Sequence, residues 1–388
     1  MKNLIIAFSF LYLFPVFGHW NEVVTPTNED LNTIEIVNGN AFCGGNNGIL
    51  LKSVDQGETW IEVETSATGN ITSIYFINSQ IGLFTTSVGT IFKTSNGGKD
   101  WTGKQIHDGG INALDFKDEL TGIAVGDYGI IFKSIDGGDN WTDIGNQSLF
   151  IINDVAFLND SLVIAVGPYG SYLYSTNSGE KWTYKNTNPP ETFFAIEKKN
   201  DTTGSIVGAN GSYAEFSESD LSIGNISNID SNEDWLKDIH FIQREDSSLK
   251  AMVVGFNSTF QLENNGWENW DIDSVNNLNS LHFFNDTIGI ICGLNGKIYK
   301  TTSGGFPSSR IKLNQLNLNI YPNPARNTLF IQGNYNQGII SIYNSLGQRV
   351  SNTNFINNQI DISNISEGAY YITLQTLKGF SSGKFVKK

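Results

Sequence analysis

The chain has 388 residues, of which 39% are hydrophobic and 16% are charged, and its formal net charge is −15. This length allows two or three domains. The composition excludes a coiled coil and a charge-driven disordered chain. The negative charge argues against a surface that follows nucleic-acid phosphates, and two cysteines exclude a disulfide scaffold. Forty glycines with 12% aromatic residues favour a β-rich chain of short strands.

The first 18 residues have the pattern of a secretory signal peptide. Lys2 supplies the positive charge, an apolar run follows over 4–14, and Pro15 and Gly18 end the segment. The apolar run is too short for a spanning helix, which needs about 20 residues. We therefore predict a cleaved signal peptide over 1–18 and a mature chain that leaves the cytoplasm.

Four related octets follow, and each ends in tryptophan. Their tryptophans are Trp60, Trp101, Trp141 and Trp182, which lie 41, 40 and 41 residues apart. A period near 40 residues with strand-length apolar runs is typical of a β-propeller, in which each repeat forms one four-stranded blade.

A second marker, a tight Gly turn followed by a short strand, precedes each octet and continues beyond the last one. Seven copies occur, and they predict a seven-bladed propeller over 19–306. The copies begin at Gly45, Thr86, Gly126, Gly167, Gly208, Gly255 and Gly293.

The seventh repeat lacks a fourth strand, and the mature N-terminus offers a candidate. Trp20–Val24 lies one period before the segment that starts at Trp60. We predict that it pairs into blade seven and closes the ring, because closure hides two bare sheet edges. Cys43 and Cys292 fall at equivalent points of the neighbouring blades one and seven. They are either a disulfide that locks the closure or two small buried apolar residues, and we favour the second interpretation.

The octets resemble the Asp-box, or bacterial neuraminidase repeat, S-x-D-x-G-x-T-W. The resemblance implies a structural role, in which the acidic or amide residue and the glycine shape a turn and the tryptophan packs on the blade. The alternation of Gly turn, strand and octet resembles the photosystem II assembly/stability factor propellers. The Asp-box residues are Asp55, Gly57 and Trp60, Asn96, Gly98 and Trp101, Asp136, Gly138 and Trp141, and Asn177, Gly179 and Trp182.

The composition changes after Arg310. Residues 315–388 contain 6 Lys and Arg against 2 Asp and Glu, whereas residues 19–314 contain 17 against 37. The last segment is predicted as several short strands, enough for a small Ig-like β-sandwich. We therefore expect all-β architecture throughout, with a linker over 307–314 and a second domain over 315–388.

The motifs of this second domain resemble the type IX secretion system C-terminal sorting domain of Bacteroidetes. The resemblance implies export by the type IX machinery, removal of the domain, attachment of the body to surface lipopolysaccharide, and a secreted or outer-membrane surface location. The matching residues are Tyr321, Pro322, Asn323, Pro324, Gly347, Gly368, Tyr370 and Lys384.

The propeller sequence contains no complete set of catalytic residues that we recognise. A sialidase needs three arginines around the substrate carboxylate, and 19–306 contains only Arg244. The four histidines have no metal-binding spacing, although His240 and His282 occupy similar innermost strands, where packing is favoured over ligation. We expect no metal and no cofactor.

The candidate binding residues lie at the Gly turns, which share a face with the loops between blades. They are Tyr128, Tyr169 and Phe256 at the turn tips, with Asp127 beside the first. The sequence favours a non-catalytic surface scaffold that binds a protein or glycan. The alternative is a carbohydrate-active enzyme, and assembly assistance is a third possibility carried by the fold analogy. Acidic residues in a concave face with a raised pKa would favour the enzyme, and an aromatic face would favour binding.

Overall fold

A computed structural model of the chain divides into two compact units, Met1–Phe306 and Pro307–Lys388. The structure describes residues 20–145, 150–230, 232–243, 249–263, 266–269, 277–305, 318, 320–331, 338–344, 349–355, 359–376 and 379–388. The signal segment 1–18, the linker 307–314 and Gly347 lie outside these residues. The described residues form strands and short 3₁₀ turns, and no helix among them is long and apolar enough to cross a membrane.

The first unit contains seven antiparallel sheets, so the predicted seven-bladed propeller is confirmed. Each blade is given from its innermost to its outermost strand. Blade one is Leu31–Val37, Asn40–Gly45, Leu50–Ser53 and Ile61–Glu62; blade two is Ile71–Phe76, Gly82–Thr86, Thr90–Thr94 and Thr102–Gln105; blade three is Ile111–Phe116, Gly122–Gly126, Ile131–Ser134 and Thr142–Asp143; blade four is Asp154–Phe157, Val163–Val166, Ser171–Ser175 and Thr183–Asn186.

The remaining blades follow the same order. Blade five carries a short extra strand, Ser227–Asn228, beside its third strand. Blade five is Phe193–Asn200, Thr203–Gly208, Ser212–Ser217 and Ser222–Ile223; blade six is Leu236–Gln243, Leu249–Gly255, Thr259–Glu263 and Gly266–Asn269; blade seven is Leu278–Phe283, Gly289–Gly293, Ile298–Thr301 and Asn21–Val23.

The second strand of each blade is largely buried. Gly122–Gly126 is buried along its whole length, because blades pack on both of its faces. Hydrophobic clusters consequently span neighbouring blades: Ile123 of blade three packs in the same cluster as Phe157 and Leu173 of blade four.

The N-terminal strand closes the ring, as the sequence predicts. Asn21–Val23 pairs antiparallel with the third strand of blade seven, with Glu22 opposite Tyr299. Beside this closure Cys43 and Cys292 are free and buried. The thiols are close enough to interact, and burial together with the Cys292 thiol raises the pKa of Cys43. The interpretation of both cysteines as small buried residues therefore agrees with the structure. The two thiols nevertheless lie closer together than we expected for equivalent positions of adjacent blades.

The second unit has the two sheets expected of a sandwich. One sheet contains Ile320–Tyr321, Thr328–Ile331 and Gln359–Asp361. The other contains Arg349–Phe355, Gly338–Asn344, Gly368–Thr376 and Gly379–Lys387 in that spatial order. Buried residues of both sheets, such as Leu329 and Ile372, share one core.

Candidate functional site

The Gly turns and the loops between blades lie on one face of the propeller, which we call the Gly-turn face. The pairing of Ile111, where an innermost strand begins, with Gly126, where a second strand ends, places both at this face. The opposite face carries the Asp-box hairpins. The two faces differ in their exposed apolar residues.

Two tyrosines stand out on the Gly-turn face. Tyr128 and Tyr169 are 66% and 63% exposed. Both lie in the left-handed region, with φ of 59° and 58°. That conformation is costly for a tyrosine and common for asparagine. At the equivalent turn position the other blades with a positive φ carry asparagine: Asn47, Asn210, Asn257 and Asn295.

The exposed aromatic residues of the propeller are concentrated on this face. Four of the five that are described lie there, namely Tyr128, Phe150, Tyr169 and Trp235, while Tyr184 lies on an outermost strand. The exposed apolar residues of the opposite face are aliphatic: Val54, Leu120 and Ile135. Exposed aromatic residues therefore distinguish the Gly-turn face from the opposite face.

The predicted residues do not form one cluster. The Tyr169 ring lies 5.2 Å from that of Phe150, and the Tyr128 ring lies 6.4 Å from that of His107. The Asp127 carboxylate accepts a hydrogen bond of 2.9 Å from the backbone N–H of Gly110, so it holds the loop between blades two and three.

Phe256 belongs to a second group on blades five and six. Its ring lies 5.6 Å from that of Trp235, which is 47% exposed and lies 5.3 Å from Phe194. The Lys237 ammonium contacts all three rings. The sequence analysis missed Trp235 and Lys237. Their position depends on the register and the β-bulge of blade six's innermost strand.

A central channel of about 580 Å³ runs along the innermost strands. Three of its carboxyl groups are partly buried, and desolvation raises the pKa of Asp115 to about 7, of Asp154 to about 8 and of Asp238 to about 6. Each also accepts backbone N–H bonds from the next blade, such as that from Ile196 to Asp154 at 2.8 Å. These carboxyl groups therefore join blades.

Two histidines face each other in this channel. The rings of His240 and His282 lie 4.5 Å apart. Their Nδ1 atoms are 3.2 Å from Glu197 and 3.3 Å from Glu35, respectively, and Glu35 raises the pKa of the buried His282 against the opposing effect of desolvation. Across the described part of the chain, no group of three or more His, Cys, Asp and Glu residues is arranged to hold a metal ion.

The Asp-box residues hold the hairpins of the opposite face. In blade one the Thr59 backbone N–H donates to Asp55 at 2.9 Å, and the Gly57 N–H donates to Ser53 Oγ at 2.8 Å. Hydrogen bonds from Thr59 hold the pKa of Asp55 at about 2. Asn96, Asp136 and Asn177 accept equivalent bonds in the next three blades.

The octet glycines and tryptophans belong to the packing between and within blades. A Cβ at Gly57 would lie 2.2 Å from Ile290 of blade seven, so only glycine permits this approach. Gly98, Gly138 and Gly179 meet Phe42, Leu83 and Ile123 of the preceding blades in the same way. Trp60, Trp101, Trp141 and Trp182 pack against the blade cores.

In the second unit, distant sorting-motif residues meet. Asn323 accepts a hydrogen bond of 2.9 Å from the Val386 N–H and donates one of 3.0 Å to the Lys384 carbonyl. Tyr370 is buried, stacks on Phe385 at 5.5 Å and donates to the Ser366 carbonyl. Gly368 lies at the start of that strand with φ 154°.

The first motif residues are more exposed. Tyr321 is half exposed and stacks on Phe330 at 5.7 Å, and Pro322 and Pro324 flank Asn323 in the turn that follows. The Lys384 ammonium lies 5.0 Å from the Tyr371 ring. The motif thus ties the beginning of this unit to its last strand.

Comparisons with known proteins match both units. Residues 319–388 match the family described as the secretion system C-terminal sorting domain. Residues 18–111 match the photosynthesis system II assembly factor YCF48. A search of the curated proteins finds no significant relative.

Two solved structures share the propeller fold. YCF48 bound to a D1 peptide superposes with a TM-score of 0.61 at 16% identity, over 74% of this chain and 100% of that chain. YCF48 from Cyanidioschyzon merolae superposes with a TM-score of 0.59 at 18% identity, over 73% of this chain and 98% of that chain.

These matches agree with the resemblances in the sequence. The sorting domain indicates export through the type IX secretion system to the cell surface or outside, and implies interaction with that machinery. The chain therefore carries a YCF48-like β-propeller followed by a secretion-system C-terminal sorting domain.

Proposed function

We propose that the propeller is a non-catalytic binding module that presents its Gly-turn face to a protein segment outside the cell. The single observation that carries this proposal is the pair Tyr128 and Tyr169. Both residues adopt a left-handed backbone conformation, which costs asparagine less free energy than tyrosine. Both also expose most of the aromatic ring. Strain retained together with exposure is typical of a functional position.

The fold neighbour bound to a D1 peptide supports a peptide as the ligand class. Exposed aromatic rings supply large, rigid contact area, which suits both peptides and glycans. The carbohydrate-active enzyme remains the second candidate, because burial raises the pKa of channel carboxyl groups such as Asp154. The backbone N–H bonds that these carboxyl groups accept favour a structural role instead.

The test replaces both tyrosines by the residue that the other blades use. Tyr128→Asn/Tyr169→Asn should keep or raise the free energy of unfolding, by about 1 kcal/mol per site from relieved backbone strain. It should also lose the binding that the wild-type protein shows on a random peptide array. A glycan array is probed in parallel with both proteins. Tyr184→Asn, on an outermost strand, is the matched control.

Three results would contradict the proposal. The first is that the double variant binds as the wild type does, and the second is that the wild type binds neither array. The third is that the wild type hydrolyses array glycans and that Asp154→Asn abolishes this activity. Selective glycan binding that requires the tyrosines would replace the peptide by a sugar as the ligand class.

Export carries a further expectation. We propose that the sorting domain is removed at the cell surface and that the body is attached there to lipopolysaccharide. Intact mass of the surface-located protein should then lack roughly the last 70–75 residues, on the resemblance to this class of targeting segment.

A further inference from the structure

A belt of hydrogen bonds joins the blades around the channel mouth on the Gly-turn face. In blades one, two, three and seven it is made by the second residue of the innermost strand, where a β-bulge aims that side chain away from the regular ladder. In blade four it is made by Asn153, the residue just before the innermost strand. Five blades donate in this way to a carbonyl of the next blade. The donors and acceptors are Asn32 to Ile71, Thr72 to Ile111, Asn112 to Ile152, Asn153 to Phe193, and Asn279 to Leu31.

The belt is interrupted on two adjacent blades. Blade five carries Phe194 and blade six carries Lys237 at the equivalent bulged positions. Neither side chain makes the hydrogen bond to the next blade that the other five make. When two blades lack a hydrogen bond that the other five make, we expect a functional reason for its loss.

Phe194 and Lys237 lie together with two further aromatic residues, Trp235 and Phe256. The Lys237 ammonium lies 4.0 Å from the centroid of the Phe194 ring, 4.9 Å from Trp235 and 5.1 Å from Phe256. The Phe256 N–H donates to the Trp235 carbonyl at 2.9 Å, which fixes the two elements together. Gly255 allows this approach, since a Cβ there would lie 1.9 Å from the Trp235 carbonyl oxygen.

The ammonium has no anionic partner among the described residues. Burial lowers the pKa of Lys237. The rings stabilise the cation but offer no hydrogen-bond acceptor to its three N–H groups. An unpaired, half-buried ammonium is an incomplete arrangement, because burial of a charge is costly unless it is paired and hydrogen-bonded.

We propose that Phe194, Trp235, Lys237 and Phe256 form a subsite that binds an acidic side chain of a peptide, with the aromatic rings holding an apolar residue beside the carboxylate. This inference rests on the proposed function and names the chemistry that the Gly-turn face selects. Lys237 provides the charge-assisted hydrogen bonds. Trp235, which is exposed, provides the contact area.

Burial raises the pKa of two channel carboxyl groups, Asp238 and Asp154. The nearest channel carboxyl on the same strand, Asp238, already accepts bonds from Ser280 and from the Leu281 N–H, and burial raises its pKa to about 6. Asp154, of blade four, also has a raised pKa of about 8. Partial protonation therefore reduces the negative charge of the channel near neutral pH. A cationic peptide group would instead meet the Lys237 ammonium inside the ring cluster and be repelled.

The experiment uses the full secreted protein and an array of ten-residue peptides in matched pairs, in which Asp and Glu are replaced by Asn and Gln. The wild type should bind the acidic member of its preferred pairs about tenfold more tightly, as expected for one hydrogen-bonded charge pair. Lys237→Gln should bind both members equally, and Lys237→Arg should retain the acidic preference. Lys185→Gln is the matched control, because Lys185 lies over the Tyr174 ring at 5.2 Å on an outermost strand.

The outcomes separate the two proposals. If the wild type binds peptides without an acidic preference, or if Lys237→Gln keeps that preference, the subsite is wrong and the binding function stands. If no peptide binds, both fail. A thermal melt checks that Lys237→Gln is folded; if it is not, Trp235→Leu, which keeps the ammonium, must weaken binding to both members of a pair and preserve their ratio.

Discussion

Removal of the Trp20 side chain should destabilise the whole propeller. Trp20 is only 8% exposed, packs in the core shared by blades six and seven, and meets Phe283 edge to face at 5.8 Å. A Cβ on Gly305 would already lie 2.8 Å from its ring, so the surroundings are tightly packed. Trp20→Ala should therefore cost about 3–5 kcal/mol, as large-to-small changes in rigid cores do. That is at least about a fifth of the roughly 5–15 kcal/mol that stabilises a typical domain.

Equilibrium unfolding in guanidinium chloride measures this loss. Trp60→Ala is the matched variant, because Trp60 holds the equivalent position one blade later and is equally buried. Ile61→Ala is the exposed control and should stay within about 0.5 kcal/mol of the wild type. If Trp20→Ala unfolded at the same denaturant concentration as Ile61→Ala, the N-terminal strand would be an accessory and the closure argument would be refuted.

Three further predictions follow from the contacts. Burial raises the pKa of Asp154 to about 8. The contribution of this carboxyl group to stability is therefore lost as the pH rises towards 8, and the free energy of unfolding should fall. Asp154→Asn should make that fall smaller. Asp55 has a lowered pKa of about 2, so its contribution is present above pH 4 and is lost in acid; Asp55→Asn should flatten the acid limb of the same titration. Deletion of 319–388 should leave the protein inside the cell, which fractionation with immunoblotting will show.

The repeat itself allowed much of the fold to be predicted. The octet tryptophans and the Gly turns recur with a nearly constant period, because each blade needs the same turn geometry and the same close approach to its neighbour. Trp20 could be assigned to blade seven because it lies one period before Trp60 and the seventh repeat lacks a fourth strand. The period does not fix where strands end: the outer strand of blade three covers only Thr142–Asp143. Two hydrogen-bonded pairs suffice there because Trp141 anchors the strand by packing.

The candidate site was only partly accessible from sequence. Tyr128 and Tyr169 were found because they interrupt a visible turn motif. Trp235 and Lys237 were missed because their position depends on strand register. Lys237 faces the channel mouth only through a β-bulge, and Trp235 reaches Phe256 only through a backbone bond between two elements. Neither feature has a local sequence signal.

The tyrosine pair and the subsite around Lys237 can be explained by the same physical argument. A propeller repeats the same solution in every blade, so a blade that departs from it must compensate for the lost interaction. Tyr128 adopts a left-handed backbone conformation that asparagine would adopt at a lower cost in free energy. Lys237 stands where five other blades have a residue that donates a hydrogen bond to the next blade. Both departures occur on the Gly-turn face, whereas the Asp-box hairpins of the first four blades keep their bonds on the opposite face. If the Gly-turn face served only to hold the blades together, the asparagine solution would be the more stable one at every one of these positions.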